Sequence, residues 1–132
     1  MNEKKSEYDI SCVEEYLEEL GVQVKYRNDI TDSYCDLYWY EINIPTSSDD
    51  ESKLFSLLHE GGHFLIEADE KYLPLDGDCI DVIINETLAW EAGLDIASCC
   101  SIEIDKERYY EVTKESIEKY VKLCYRKQKD ND

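Results

Sequence analysis

Five residues, His59-Glu60-Gly61-Gly62-His63, constrain this chain more than any other feature. On an α-helix, which turns about 100° per residue, positions four apart point the same way, so both imidazoles can reach one metal ion. Glu60 projects to the side of that pair, where it cannot easily ligate the same ion but can accept a proton from water held there. This is the H-E-x-x-H pattern of zinc hydrolases. The chain has only two histidines, and both are in the motif; scattered structural histidines would not coincide in this way. The surrounding run reads as a buried helix, with Leu54, Leu58, Gly61 and Leu65 on one side, the histidines on the other, and Phe55 and Ile66 flanking them. Such walls keep metal ligands desolvated and oriented.

The rest of the chain predicts an α+β domain around that helix. Asp9–Leu20 is an amphipathic helix with Val13, Tyr16, Leu17 and Leu20 inward, stopped by Gly21. Val22–Tyr26 alternates as a strand, turn residues follow to Ser33, and Tyr34–Ile44 reads as a second strand ended by Pro45. The two strands are expected to pair, directly or through a third short one. Ser48 and Glu51 have the spacing of a capping box opening the motif helix, which runs to about Ala68. Residues 69–79 form a loop. A third helix spans Asp81–Ser98, with Glu86, Ala89, Trp90, Gly93 and Ala97 on one face. The small residues of that face, and the paired glycines of the motif, suit two closely packed helices. Asp105 caps a last helix to about Lys127, with Tyr110, Ile117, Val121 and Cys124 as its inward stripe.

A catalytic zinc takes three protein ligands and leaves one position open. With no third histidine, the third ligand must be a carboxylate, a thiolate or a tyrosine. Glu86 is the best placed, on the small-residue face of the third helix. Glu91 falls about 140° around the same helix, whereas Asp78 and Asp81 remain open by periodicity. Cys35 and Cys79 are the thiol alternatives.

The chain's 132 residues suffice for one domain spanning residues 1–132, and no segment is long and apolar enough to cross a bilayer. The charged start, Met1 to Glu7, lacks the apolar core of an export signal, so the expected location is cytoplasmic and the six cysteines are expected to be reduced. The net charge of −18 resides entirely in residues 1–100, which hold 24 acids and 6 bases against 8 of each beyond. Such a field repels nucleic acid and favours a basic partner or substrate segment. Glu67, Asp69, Glu70, Asp76, Asp78 and Asp81 lie close to the motif in sequence.

The motif together with Asn85-Glu86-Thr87-Leu88-Ala89 resembles the gluzincin metallopeptidases, and the small size and Glu86-x-x-Ala89 spacing are similar to the ImmA/IrrE-like and minimal gluzincins. The resemblance covers about residues 48–98. It implies a zincin-like fold, a small antiparallel or mixed sheet packed on the motif helix with two further helices after it. It also implies His59, His63 and Glu86 as zinc ligands and Glu60 as the general base of peptide hydrolysis. The substrate would be a protein or peptide, typically a regulatory protein, held by the edge of the Tyr34–Ile44 segment. Trp90 stands where many gluzincins carry an acidic partner, and no spare histidine is left for the oxyanion; Tyr40, Tyr72, Tyr109 and Tyr110 are candidate donors instead. Two other readings stay open. One is an acidic inhibitory or binding module with a structural or vestigial metal; the other is a deformylase-like amidase with a cysteine ligand.

Overall fold

The computed structural model describes residues 2–68 and 79–131, with side chains over residues 5–68 and 79–127. It is an α+β arrangement of four helices and one three-stranded mixed sheet: α1 (Asn2–Glu19), β1 (Gln23–Arg27), β2 (Tyr34–Asp36), β3 (Glu41–Pro45), α2 (Asp50–Ala68), α3 (Cys79–Cys99) and α4 (Lys106–Asn131). Among the described residues no helix is long and apolar enough to cross a membrane, and the six cysteines are free thiols.

α1 begins earlier than expected and buries Ile10, Val13 and Leu17, leaving Leu20 exposed. It stops where Gly21 takes a φ of 86°, and the Val22 amide donates back to the Leu17 carbonyl at 2.9 Å. Glycine meets that left-handed geometry without steric cost. β1 pairs with β3 in parallel, Gln23 opposite Glu41 through Arg27 opposite Pro45, and β2 pairs antiparallel on the other side. β3 is therefore central and β2 is an edge.

The expected long strand Tyr34–Ile44 is in fact two strands. Asp36 Oδ1 accepts from the amides of Tyr38 and Trp39, both at 3.0 Å, and turns the chain into a hairpin loop over residues 37–40. Alternating aromatics imitate a strand there, but Tyr38 and Trp39 are exposed at the hairpin tip and have no second layer to bury them. A side-chain-capped turn wins over local β propensity.

The start of α2 also differs from the expected capping box. Asp49, not Ser48, caps it by accepting from the Ser52 amide at 2.8 Å, while Glu51 reaches across to Arg108. α2 is the central element, buried from Phe55 to Gly62 on nearly every side. α3 crosses it with almost no space between. A methyl added to Gly62 would overlap the Ala89 carbonyl, and one on Gly93 would lie 2.8 Å from the Leu58 carbonyl oxygen. The small-residue face predicted for α3 is thus the helix contact.

α4 is capped by Asp105, as expected, through the Arg108 amide at 3.1 Å. Its inward stripe is shifted, however. Tyr109 is buried, its ring edge-on to Phe55 and Trp90, and its hydroxyl donates to the Trp90 carbonyl at 2.6 Å. That anchor sets the helix phase, so Val112, Ile117 and Tyr120 turn inward while Tyr110 and Val121 face solvent.

Candidate metal centre

α2 and α3 bring the two histidines and Glu86 together. His59 Nε2 lies 2.7 Å from Glu86 Oε2, and His63 Nε2 lies 3.1 Å from Glu86 Oε1. One donor atom from each of the three residues lies within 4.8 Å of the other two. The donors of a tetrahedral zinc, each about 2.1 Å from the ion, stand about 3.4 Å apart. The Glu86 oxygens stand 2.7 and 3.1 Å from the two ring nitrogens, closer than that spacing, the donor atoms of all three residues lie within 4.8 Å of one another, and two imidazoles with one carboxylate are donors zinc accepts. The residues fit the ion.

The arrangement follows from the sequence at short range. Spacing of four on α2 stacks the imidazoles on one face, their centroids 5.0 Å apart. Glu86 lies one turn before Ala89, the residue whose backbone meets Gly62, so the close crossing is what lets a glutamate side chain span both rings. Trp90 stacks on His59 at 4.2 Å with the planes 6° apart. Trp90 thus orients the ring through its face.

Electrostatics support a fixed anionic bridge. Burial alone would raise the Glu86 pKa, but hydrogen bonds and charge from His59 and His63 outweigh it and hold the carboxyl at about 2. Burial would conversely lower His63, yet the Glu86 and Glu60 carboxylates leave it raised.

Glu60 is buried beside the triad, Oε1 3.4 Å from His59 Nδ1. It lines two open cavities that meet at the site. One, of 440 Å³, is bordered by Tyr34, Cys35, Asp36, His63, Glu86 and Tyr120. The other, of 520 Å³, includes Asp32, Ser56, His59, Trp90, Lys119 and Tyr120.

Of the alternative ligands, Glu91 is exposed and joins no donor group, and Asp81 and Cys79, at the start of α3, join none among the described residues. Asp78 lies outside the described residues. Cys35 does reach the site: its thiol, a Glu60 oxygen and a His63 nitrogen form a second donor group. Burial, then the Glu60 and Glu86 carboxylates, push its pKa well above the usual thiol range.

The expected tyrosines are elsewhere. Tyr40 packs against Phe64 with its ring centroid 5.5 Å away. Tyr109 is committed to the Trp90 carbonyl, Tyr110 faces solvent, and Tyr72 lies outside the described residues. Tyr120 is the phenol that borders both cavities, and it lines one of them together with Glu86. Burial and the neighbouring Glu86 and Glu60 charges push its pKa up to about 12. Its position was readable only from the correct phase of α4: Tyr120 lies eleven residues, three turns, after the buried Tyr109.

Comparison with protein-family models, curated proteins and solved structures returns no match.

Proposed function

We propose that the chain is a zinc-dependent metallopeptidase of gluzincin type, acting on a protein or peptide substrate. The observation that carries this reading is the Glu86 carboxylate spanning His59 and His63 with Glu60 beside them and a cleft in front. A purely structural zinc site has no use for a carboxylate in Glu60's position or for an open face.

Zinc held by His59, His63 and Glu86 supplies Lewis acidity, acidifying a water and polarising a carbonyl oxygen. Glu60 takes the proton of the attacking water and returns it to the amine nitrogen as the amide C–N bond breaks. Tyr120, protonated across the neutral range, donates to the carbonyl oxygen as negative charge develops on it. Among the described residues no strand pairs with the outer edge of β2, which borders the same cavity and could take an extended peptide as a further strand. Asp32 and Asp36 at the cleft, within a chain of charge −18, favour a basic substrate segment.

Cys35 is the one observation that favours the amidase reading, since its thiol lies in ligand reach of His63. Only Glu86 bridges both histidines, and this weights the peptidase. Glu60→Gln is expected to keep stoichiometric zinc while turnover of a peptide library falls about 10³-fold, and Glu86→Ala to lose most of the zinc. Undiminished cleavage by Glu60→Gln refutes the base, and full zinc retention by Glu86→Ala refutes the ligand. Stoichiometric, salt-sensitive inhibition of a basic partner that survives Glu60→Gln would instead support the acidic-module reading.

A further inference from the structure

Cys35 is a thiol at the site that the mechanism above does not use. On β2 it stands opposite Ile42 of β3, whose side chain is in the core. Alternation along the strand turns Cys35 toward the same side and sends Tyr34 and Asp36 away from it. The thiol meets the motif there. Its sulfur lies within 4.8 Å of donor atoms of both Glu60 and His63.

His63 is common to the two donor groups, His59–His63–Glu86 and Cys35–Glu60–His63. His63 would thus be shared between an ion bound by the first group and the thiol, on the side facing the 440 Å³ cleft, and the sulfur must close further on His59 and Glu86 to join them. Thiolate is among the strongest protein ligands for zinc. Three protein ligands and an open position make a catalytic site, and four make a closed one. Of the six cysteines, Cys35 alone enters a donor group among the described residues.

We propose that Cys35 is a displaceable fourth ligand, closing the His59–His63–Glu86 metal site when no substrate occupies the cleft. This rests on the zinc reading of that site. Coordination breaks the S–H bond and forms a metal–sulfur bond; the proton passes to the neighbouring Glu60 carboxylate. In the closed state the open position is filled and the general base is protonated, and hydrolysis stops. Opening reverses both changes. The substrate peptide would add to the outer edge of β2, the three-residue strand that carries the thiol, so strand pairing and thiol release act on one short element.

Cobalt(II) in place of zinc tests this, because a thiolate ligand gives an intense near-ultraviolet charge-transfer band that nitrogen and oxygen ligands do not. The full chain loaded with one cobalt is expected to show the band, and Cys35→Ala and Cys35→Ser to lose it while still binding cobalt through the other three ligands. A cobalt-loaded parent without the band, or a band that survives both substitutions, overturns the proposal and leaves the zinc reading standing. Failure of the parent to bind cobalt or zinc removes both. Alkylation of the unsubstituted protein by iodoacetamide, mapped by mass spectrometry, gives a check that needs no variant. Zinc is expected to slow modification of Cys35 about tenfold or more relative to chelator-treated protein, and equal rates overturn the proposal.

Discussion

Gly62→Ala is the substitution that most directly tests how the fold makes the site. A β-carbon there would overlap the Ala89 carbonyl oxygen and lie 2.9 Å from the carbonyl carbon and 3.2 Å from Cα. Carbon atoms rest at about 3.5 Å or more, and the obstacle is backbone, so relief requires α2 and α3 to separate by roughly 1 Å. Overpacking of this kind costs about 1–3 kcal/mol, with a backbone obstacle at the upper end. Alanine's better helix propensity offsets about 1 kcal/mol, so a net loss of about 2 kcal/mol is expected. Gly61→Ala is the internal control: its β-carbon meets only the methyl tips of Leu17 at 2.9 Å and Ile96 at 3.0 Å, which can rotate away, so its net effect is expected within about 1 kcal/mol of zero. The separation also falls between His63 and Glu86, whose contact is 3.1 Å, and zinc ligands tolerate only a few tenths of an ångström around about 2.1 Å. Gly62→Ala should thus weaken zinc binding without altering a donor. Urea unfolding of the metal-free variants and zinc titration against a chromophoric chelator measure the two effects. A Gly62→Ala protein as stable and as zinc-avid as the parent, or a Gly61→Ala protein that loses more, refutes the close crossing as the origin of the site.

Two further outcomes follow from the site's chemistry. Tyr120→Phe is expected to lower kcat about 10²-fold with zinc content and KM unchanged; a loss of less than a few-fold, or one confined to KM, removes Tyr120 from the reaction. In the metal-free protein, Glu86 with its pKa held at about 2 contributes stability that is present above the ordinary carboxylate range and lost as pH falls toward 2, whereas His63, raised, contributes stability present below the ordinary imidazole pKa and lost as pH rises through its folded value. Urea midpoints of chelator-treated protein should therefore be highest between about pH 4.5 and 6.5 relative to Glu86→Gln, and parallel pH profiles for the two proteins contradict the pairing.

The grouping of His59, His63 and Glu86 was legible because it depends on helical phase alone. Spacing of four on α2 aligns His59 with His63, and the face shared with Ala89, Trp90 and Gly93 carries Glu86 toward them. The hairpin, the α2 cap and the phase of α4 were not legible: the first was decided by a local side-chain capture, the other two by contacts distant in sequence. Asp36 captures two amides and ends a run whose aromatics alternate like a strand. Glu51 leaves its expected capping role for Arg108, fifty-seven residues away. Tyr109 donates to the Trp90 carbonyl and puts itself and Tyr120 inward in place of Tyr110 and Val121, while Ile117 and Cys124 stay part-buried as expected. Tyr120 could not be found without that anchor, since periodicity alone does not choose between adjacent phases of a helix rich in both apolar and charged residues.

These two classes of residue also divide the work of the site. The donors stand on α2 and α3, whose backbones touch at Gly62 and Ala89, and a constellation held by backbone contact cannot adjust by rotamer change alone. Cys35 and Tyr120 stand on a three-residue edge strand and on a helix whose neighbours at 121 and 123 are exposed. Fewer packed neighbours make local opening cheaper on these elements than on the crossing. On the proposed function, a peptide entering the cleft would meet its resistance at the edge strand and α4 while His59, His63 and Glu86 stay fixed. Changes at the crossing should then appear first in zinc affinity, and changes at β2 or at Tyr120 in turnover at constant zinc content. A Tyr120 variant that releases zinc as readily as Gly62→Ala would show that α4 belongs to the rigid frame instead.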